Sequence, residues 1–412
     1  MRVQIISVGL ELLRGEITNT TAPALAQELQ AQGLQVTSML TVDDEEADIQ
    51  AAVEAAQANH DIIILTGGIG PTQDDLTKPA LAKCLAMNLE VDEKNLQQIA
   101  QAKNCSVSAL SAGDRRMAWQ FPGAQPLKNK KGMAWGSLFE HQGITYVVLP
   151  GVPRECRTMF TEEVLPLWQA AGLLPEKEAS AFLNFYGLSE ARLSERLQAL
   201  ALPASRWAIY AKADHKQVRL RTKQGSAQEN AKQLASDQAL IAQAFAPYYL
   251  GEGQALNLAE ALLSKLRSQD ATLSLAESLT GGLAAANLVQ IPHASEAFLG
   301  SAVTYTAAAK SQMLHISPAA LDEERMVSAF CAKKMAQGIR QALGSTYALS
   351  FTGVAGPGQM EGQAVGTVWI GLSQPTGTEA FSYHFSGDRQ GIRRQAVNEG
   401  YYRLWQLLKQ AR

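Results

Sequence analysis

The sequence predicts an α/β protein made of three units, and three observations lead to this prediction. The chain has 412 residues, and at about 150 residues per domain this length corresponds to two or three domains. Short apolar runs of strand length alternate with segments of helical periodicity, which is typical of sheets covered by helices. Several of these runs end in glycines, and ligands of such sheets usually lie beyond the C-terminal ends of the strands.

The first unit is predicted at residues 1–170, where the apolar runs are long and continuous. Strands buried on both faces and separated by helices indicate a parallel sheet of βαβ units. The predicted strands are 3–9, 35–42, 61–68 and 145–153, and the predicted helices are 20–33 and 45–58.

The second and third units are predicted at residues 171–254 and 255–412, after a linker at 171–185. The middle unit is expected to be a small α+β fold and the last another α/β layer fold. The predicted strands are 182–188, 206–212, 217–223, 271–277, 347–353, 364–372 and 379–385, and the predicted helices are 190–200, 226–246, 257–268, 280–290, 328–343 and 388–411.

The composition restricts the class of protein. Hydrophobic residues make up 46% of the chain, enough for real cores, and the net charge of -3 argues against a sequence-independent nucleic-acid binder. The N-terminal MRVQIISVGL lacks the pattern of a signal peptide, and no uninterrupted apolar run of 18 residues occurs. The four cysteines are scattered without a CxxC motif. We therefore expect a cytoplasmic, reduced protein with no membrane segment, no nucleic-acid partner and no structural zinc.

The stretch TGGIGPTQDD (66–75) fits either a phosphate site or a plain turn. Its glycines let the backbone approach a phosphate closely, and paired carboxylates can hold a divalent cation against a diphosphate. A tight turn with an aspartate as helix N-cap is the alternative. The candidate residues are Gly67, Gly68, Gly70, Thr72, Asp74 and Asp75.

Several motifs, taken together, resemble the CinA family (competence/damage-inducible protein). ISVGLELLRGEITNT, TGGIGPTQDDLT and VVLPGVPRE in residues 1–170 resemble its three-layer molybdopterin-binding-like domain. AESLTGG, PHASEAFLGSAVTYTAAAK, TGVAGPG, VGTVWIGL and SGDR in residues 255–412 resemble its C-terminal α/β domain, a nicotinamide mononucleotide (NMN) amidohydrolase. The resemblance covers the full chain in the family's domain order and implies a KH-like middle domain.

Hydrolysis of a carboxamide needs a nucleophile, a proton acceptor, donors for the oxyanion and an acid for the leaving ammonia. Cys331 lies in a helical run and no histidine nearby fits a recognisable triad, which leaves a hydroxyl activated by lysine or tyrosine. The resemblance implies that Ser295 is the nucleophile and that Lys310 with Tyr305 relays its proton, without a metal or other cofactor. Taken alone, Ser295 fits a helix N-cap and Lys310 a surface residue.

The resemblance also implies a set of substrate contacts. They are Glu277, Gly281, Gly282, Thr352, Gly353, Gly356 and Arg389. For the Glu277 segment, close packing of a strand against a helix is an equally good interpretation, and Arg393 and Arg394 compete with Arg389 for the same role. The sequence departs from the family at Leu279, where a cysteine is usual, and at 307–309, where alanines replace an Asn-Glu pair.

Some family members use the N-terminal domain as a metal-dependent ADP-ribose pyrophosphatase, with a divalent cation such as Mg²⁺, Mn²⁺ or Co²⁺. Here Glu11 is retained, but Leu10 stands at the family's aspartate and Thr21 at its asparagine. The loss of an acidic residue weakens this inference.

Three hypotheses follow for the function. The first is NMN amidohydrolysis in pyridine-nucleotide salvage, the second is ADP-ribose cleavage, and the third is a non-catalytic interaction role in competence or DNA damage. The middle unit has no GXXG loop of an RNA-binding KH domain, so we expect a spacer or dimerisation element in a homodimer.

Overall fold

The computed structural model describes residues 1–175, 179–200, 202, 205–222 and 226–410. Two compact units are present, Met1–Lys177 and Glu178–Arg412. The predicted linker at 171–185 includes residues 176–178, which lie outside the described part of the chain, and its end overlaps a strand that begins at Ala179.

The first unit is a mixed six-stranded sheet in the order β2-β1-β3-β8-β7-β6, with a small β4-β5 ladder beside it. Its strands are β1 (Arg2–Val8), β2 (Gln35–Val42), β3 (Ile62–Thr66), β4 (Glu90–Val91), β5 (Trp119–Gln120), β6 (Gln125–Leu127), β7 (Gly136–His141) and β8 (Ile144–Leu149). Its helices are α1 (Leu10–Leu13), α2 (Thr21–Ala31), α3 (Glu46–Gln57), α4 (Thr77–Cys84), α5 (Glu93–Ala102), α6 (Ala112–Met117), α7 (Pro153–Met159) and α8 (Leu165–Ala170).

Alternation along β3 explains the three layers of this unit. Ile63 and Leu65 pack with the apolar faces of α3, α4 and α5, whereas Ile62 and Ile64 pack with those of α2, α7 and α8. The strands β1, β2, β3 and β8 are parallel, as predicted, but β6 and β7 run antiparallel at one edge. The antiparallel edge was not predicted. It arises because β7 and β8 are joined by a tight hairpin that only antiparallel strands allow.

The second unit begins with a four-stranded antiparallel sheet in the order β10-β11-β9-β12. Its strands are β9 (Ala179–Phe185), β10 (Ser205–Ala211), β11 (Lys216–Thr222) and β12 (Tyr249–Glu252), and its helices are α9 (Glu190–Ala199) and α10 (Ala227–Ala244). The helices cover one face, where Leu183, Leu193 and Ile241 are fully buried. The predicted α+β organisation of this segment is present.

The rest of the second unit is a five-stranded sheet in the order β14-β13-β15-β16-β17, of which β14, β13 and β15 are parallel. Its strands are β13 (Leu273–Glu277), β14 (Phe298–Val303), β15 (Tyr347–Gly353), β16 (Thr367–Gln374) and β17 (Gly377–His384). Its helices are α11 (Leu258–Arg267), α12 (Leu283–Val289), α13 (Ala307–Leu314), α14 (Pro318–Glu324), α15 (Ala329–Leu343) and α16 (Arg389–Gln410).

Direct contacts join the four-stranded and five-stranded sheets across the predicted boundary at 254. The rings of Tyr186 and Tyr402 lie 4.6 Å apart, and the Asp214 carboxylate accepts the backbone N–H of Leu258 at 3.1 Å. Lys409 donates to the carbonyl of Ala246 at 2.5 Å. Residues 178–254 therefore belong to the same compact unit as the C-terminal α/β fold.

None of the helices in the described ranges is long and apolar enough to cross a bilayer.

Candidate functional site

Ser278 occupies the turn that joins the buried strand β13 to helix α12. Its backbone N–H donates to the carbonyl of Phe351 at 2.9 Å, which extends the pairing of β13 with β15 by one residue. Gly281 and Gly282 follow with φ of 57° and 90°, a backbone conformation that glycine adopts without strain. The turn therefore presents the serine hydroxyl at the C-terminal edge of the sheet.

The Glu277 carboxylate lies beneath this turn and is fully buried. It accepts the N–H groups of Gly282, Ala284 and Ala285 at 2.9, 3.1 and 2.9 Å, and the hydroxyl of Ser301 at 3.0 Å. These four donors occupy the oxygens that a substrate would need. The predicted substrate contact at Glu277 is therefore corrected to a structural one, and the glycines beside it shape the turn.

Lys310, in α13, points back under the edge of the sheet toward Ser278. Its ammonium nitrogen lies 3.1 Å from the Ser278 hydroxyl and 2.8 Å from the carbonyl of Thr304. Only 1% of the residue is exposed, and this burial lowers the pKa of Lys310 although Cys331 and Glu361 act in the opposite direction. The arrangement pairs a hydroxyl with an amine that loses its proton more readily than a solvated lysine.

Ser278 and Lys310 open into a cavity of about 160 Å³. Its other lining residues are Leu279, Tyr305, Met326, Val327, Thr352, Gly353, Val354, Ala355, Gly356, Gly358, Met360 and Arg389. The cavity thus brings together the predicted residues Tyr305, Lys310, Thr352, Gly353 and Arg389, along with Gly356. Tyr305 follows the parallel strand β14, and Thr352 and Gly353 end the parallel strand β15, as expected for an α/β sheet. Lys310 lies in α13 and Arg389 opens α16.

Arg389 is the arginine that reaches the cavity. Its guanidinium donates to the carbonyl of Gly356 at 2.5 Å and to the Tyr305 hydroxyl at 3.2 Å. Arg393 instead donates to the backbone carbonyl of Thr280 at 2.6 Å and so supports the Ser278 turn. Arg394 is exposed on the same helix and does not line the cavity. Of the three candidate arginines, Arg389 is therefore the one placed to contact a ligand in the cavity.

Ser295 lies away from this cavity. It is exposed in a short turn, Ala294–Glu296, that precedes β14, whereas Tyr305 and Lys310 follow that strand. A strand of six residues spans roughly 20 Å, and this length separates the serine from Lys310. The predicted grouping of Ser295 with Tyr305 and Lys310 is therefore wrong, because Ser295 precedes β14 whereas Tyr305 and Lys310 follow it.

Sequence reasoning missed Ser278, although AESLTGG contains it. The signal was available: a serine directly after a buried strand, followed by two glycines and a helix, is the local pattern of an exposed nucleophile on a strand–turn–helix. The nucleophile was instead assigned to Ser295 from the resemblance.

The first unit has a separate cavity of about 800 Å³ beyond the C-terminal ends of β1, β3 and β8. The predicted residues Glu11, Gly67, Gly68, Gly70 and Asp75 line it. Gly67 has φ of 98°, and a β-carbon there would come within 2.4 Å of the carbonyl oxygen of Val8. The glycines therefore allow loop and strand to approach closely at the cavity wall.

Thr72 and Asp74 do not line this cavity, contrary to the prediction. The backbone N–H and hydroxyl of Thr72 donate to the Asp75 carboxylate at 2.8 and 2.6 Å, and Asp74 is exposed. The turn closed by Thr72 and Asp75 directs one aspartate inward and the other to solvent. Asp75 caps this turn and not a helix, since α4 begins only at Thr77.

Thr21, at the position of the family's asparagine, donates to the carbonyl of Gly151 at 3.2 Å. Within the described residues no three His, Cys, Asp or Glu side chains are arranged to hold a metal ion together. Magnesium often uses one or two carboxylates and completes its shell with water and substrate phosphates. Glu11 and Asp75 could therefore bind a cation only if water and substrate phosphates completed its coordination shell.

Comparison with known proteins covers almost the whole chain. The model of the CinA C-terminal domain matches residues 255–408, and that of a molybdopterin binding domain matches residues 4–170. A competence-damage inducible protein of Limosilactobacillus fermentum is 38% identical over 97% of this chain and 98% of its own length. A second from Bacillus pumilus is 36% identical over 100% of this chain and 99% of its own. The chain belongs to the CinA family.

The CinA C-terminal domain includes the whole Ser278 cavity, and the molybdopterin-binding-like domain includes the 800 Å³ cavity. The crystal structure of CinA from Thermoplasma acidophilum covers 40% of this chain and 97% of its own at 31% identity, with a TM-score of 0.39.

Proposed function

We propose that the C-terminal domain hydrolyses the carboxamide of NMN to nicotinate mononucleotide and ammonia, with Ser278 as the nucleophile. The observation that carries the proposal is the 3.1 Å contact between Lys310 Nζ and Ser278 Oγ at the wall of a cavity. This assignment replaces Ser295 and keeps Lys310 as the proton acceptor.

In the first step the neutral amine of Lys310 takes the proton of Ser278 while its oxygen attacks the carboxamide carbon. Lys310 then returns the proton to the leaving nitrogen, so that ammonia departs and an acyl-enzyme remains. Water then adds to the acyl carbon while Lys310 accepts its proton. The bond between the acyl carbon and Ser278 Oγ breaks, Lys310 returns the proton to Oγ, and the acid product leaves and ionises to the carboxylate. The backbone N–H groups of residues 279 and 280, in the nucleophile's own turn, are the expected donors to the oxyanion.

The cavity supports a flat, apolar ring that carries one polar group. Met326, Val327 and Met360 form apolar wall, and the polar end is formed by Ser278 and Lys310. At about 160 Å³ the cavity is small beside the usual several hundred Å³ of a ligand site. The ribose phosphate is therefore expected at the mouth, where the exposed Arg389 supplies a positive charge.

Ammonia release from NMN by Ser278→Ala tests the proposal, and Ser295→Ala is the matched control. We expect Ser278→Ala to lose activity by at least about 10³-fold, as removal of a nucleophile usually does, and Ser295→Ala to retain the wild-type rate. A reversed result would return the nucleophile to Ser295, and full activity in both variants would exclude a serine mechanism.

We propose the cleavage of ADP-ribose in the N-terminal domain as a second function. The observation that favours it is the 800 Å³ cavity lined by glycines, with Glu11 and Asp75 on its wall. This volume suits a dinucleotide-like ligand. A cation bound jointly by the two carboxylates and the diphosphate would polarise the phosphorus that water attacks.

Formation of AMP from ADP-ribose with Mg²⁺, Mn²⁺ or Co²⁺ tests this second proposal. Asp75→Asn is expected to lose the activity, whereas Asp74→Asn, which makes the same change on an exposed neighbour, is expected to keep it. Absence of AMP with all three metals would contradict the proposal. If neither NMN nor ADP-ribose is turned over, a non-catalytic interaction role becomes the better hypothesis.

A further inference from the structure

Two loops meet at one wall of the Ser278 cavity, and Glu361 joins them. Residues 325–328 connect α14 to α15, and residues 360–363 form a tight hairpin in which Met360 and Gln363 pair. Met326 and Val327 from the first loop and Met360 from the second all line the cavity. The position of this wall therefore depends on how the two loops are held together.

The Glu361 carboxylate binds backbone N–H groups of the first loop. One oxygen accepts the N–H of Met326 at 3.2 Å and the other accepts the N–H of Val327 at 3.0 Å. The carbonyl of Met326 in turn accepts the Thr352 hydroxyl at 2.7 Å. The Glu361 carboxylate thus fixes the peptide groups on both sides of Met326, and Thr352, a residue of the cavity, also holds the second of them.

A third contact joins the same two loops, but here the first loop provides the donor and the second the acceptor. The Arg325 guanidinium donates to the backbone carbonyl of Glu361 at 2.7 Å. Arg325 and Glu361 have φ of 65° and 52°, values that non-glycine residues adopt only when surrounding contacts hold them. The carboxylate is a strong acceptor of two N–H groups, so it is the group best able to hold this backbone.

Glu361 also acts on Lys310 through its charge. The groups that face the Lys310 ammonium are the Ser278 hydroxyl, the Thr304 carbonyl, the Cys331 thiol and, at longer range, the Glu361 carboxylate. Burial lowers the pKa of Lys310, and the charge of Glu361 opposes that change. Removal of the charge should let Lys310 lose its proton at a lower pH.

We propose that Glu361 is a positioning residue of the Ser278 site, which holds the Met326–Val327 wall over the nucleophile and sets the pH range in which the nucleophile is active. The inference rests on the proposed function of this site, since it takes Ser278 and Lys310 as the reacting pair. It adds a residue that touches neither the substrate nor the reacting atoms.

The test uses the intact chain and phenylmethanesulfonyl fluoride, a probe that does not depend on the natural substrate. The Ser278 oxygen bonds to sulfur, the S–F bond breaks, fluoride leaves and the serine proton passes to Lys310. The rate of Ser278 modification is measured by mass spectrometry as a function of pH. We compare the wild type with Glu361→Gln, Glu361→Asp and the control Glu324→Gln, which removes an exposed carboxylate just before Arg325.

For Glu361→Gln we expect the midpoint of the pH profile to move to lower pH and the plateau rate to fall about tenfold, the effect of one charge-assisted hydrogen bond. Glu361→Asp keeps the charge, so its midpoint should stay with that of the wild type while the plateau falls. Glu324→Gln should change neither quantity. Thermal unfolding of each variant shows whether it has folded.

An unchanged midpoint in Glu361→Gln, or an equal change in Glu324→Gln, would overturn the inference. Failure of wild-type Ser278 to react at any pH would overturn it as well, because no activated serine would exist to be positioned. Reaction of Ser278 without turnover of NMN would contradict only the proposed substrate and would leave the role of Glu361 standing.

Discussion

At the scale of single residues, the pair formed by Ser278 and Lys310 makes the proposed activity dependent on pH. Lys310 accepts a proton only as the neutral amine, and its burial lowers its pKa from the ordinary value of 10.5. The neutral fraction grows as pH rises through this lowered pKa. The reaction should therefore speed up with pH in a range where a solvated lysine is still fully protonated.

We predict that kcat/KM for NMN rises with pH along a limb that belongs to Lys310. Lys310→Arg removes a titratable base, because arginine stays protonated throughout, and should remove both the limb and most of the activity. Initial rates of ammonia release between pH 6 and 10 measure this. The Ser295→Ala profile, which should overlay the wild type, is the control, and a limb that persists in Lys310→Arg would assign it to another group.

The sequence identified Tyr305, Lys310, Thr352 and Arg389 as a group, and the structure places all four on one cavity. They could be identified because each stands in a motif that resembles one of the CinA family. The nucleophile was assigned to Ser295 from the same resemblance. Ser278 and Ser295 both precede Lys310 in sequence, and the direction of β14 distinguishes them in the structure, although the strand–turn–helix pattern around Ser278 was a local signal.

At the scale of elements, the helix α12 depends on the buried Glu277 carboxylate. The N–H groups of Ala284 and Ala285 in its first turn, and of Gly282 just before it, have no partner within the helix and donate to that carboxylate. The same side chain fixes the turn in which Ser278 lies. Strand, turn and helix are therefore stabilised by one group.

We predict that Glu277→Gln lowers the free energy of unfolding by about 1–3 kcal/mol. The amide –NH2 group replaces a carboxylate oxygen and cannot accept hydrogen bonds from the backbone N–H groups that face it. Urea unfolding followed by circular dichroism measures the change. Glu296→Gln, at a carboxylate that is 57% exposed, should remain within about 0.5 kcal/mol of the wild type. Equal stability of the two variants would show that Glu277 is not the group that caps the helix.

Most strands and long helices followed from apolar runs and periodicity, as for β2, whose predicted limits equal the observed Gln35–Val42. The elements that escaped prediction have weak patterns. β14 contains a glycine and leaves Leu299 and Val303 exposed at a sheet edge, and α13 is short. The antiparallel edge of the first sheet escaped because pairing between strands is a long-range property that local periodicity does not contain.

At the scale of the whole molecule, His215 and Asp214 tie the four-stranded sheet to the C-terminal fold. His215 lies 2.7 Å from the Asp214 carboxylate and 2.9 Å from the Asn184 carbonyl oxygen, and Asp214 accepts the N–H of Leu258. Burial raises the pKa of Asp214, but the hydrogen bond from His215 and the Leu258 N–H outweigh it, so that the pKa is lowered. The carboxylate therefore stabilises the folded state above the ordinary range of an aspartate, and the stabilisation is lost as pH falls through the lowered pKa.

We predict that Asp214→Asn and His215→Gln each lower the free energy of unfolding of the unit Glu178–Arg412 at pH 7. Because the two side chains share one buried network, the double variant should lose about 1–3 kcal/mol less than the sum of the single changes. Urea unfolding of the four proteins gives this coupling. Strict additivity would mean that the network does not act as one.

The contacts made by α16 have a consequence for how the protein folds during synthesis. Tyr402 and Lys409, close to the end of the chain, contact Tyr186 and Ala246 in the four-stranded sheet. On the ribosome, domains generally fold in order from the N-terminus, yet this sheet leaves the tunnel long before its last partner is translated. The helices α9 and α10 can cover the apolar face of the sheet at once, but Tyr186 and Ala246 must wait for α16. Premature termination near residue 388 should therefore leave these two residues without their packing partners, while the first unit can already be complete.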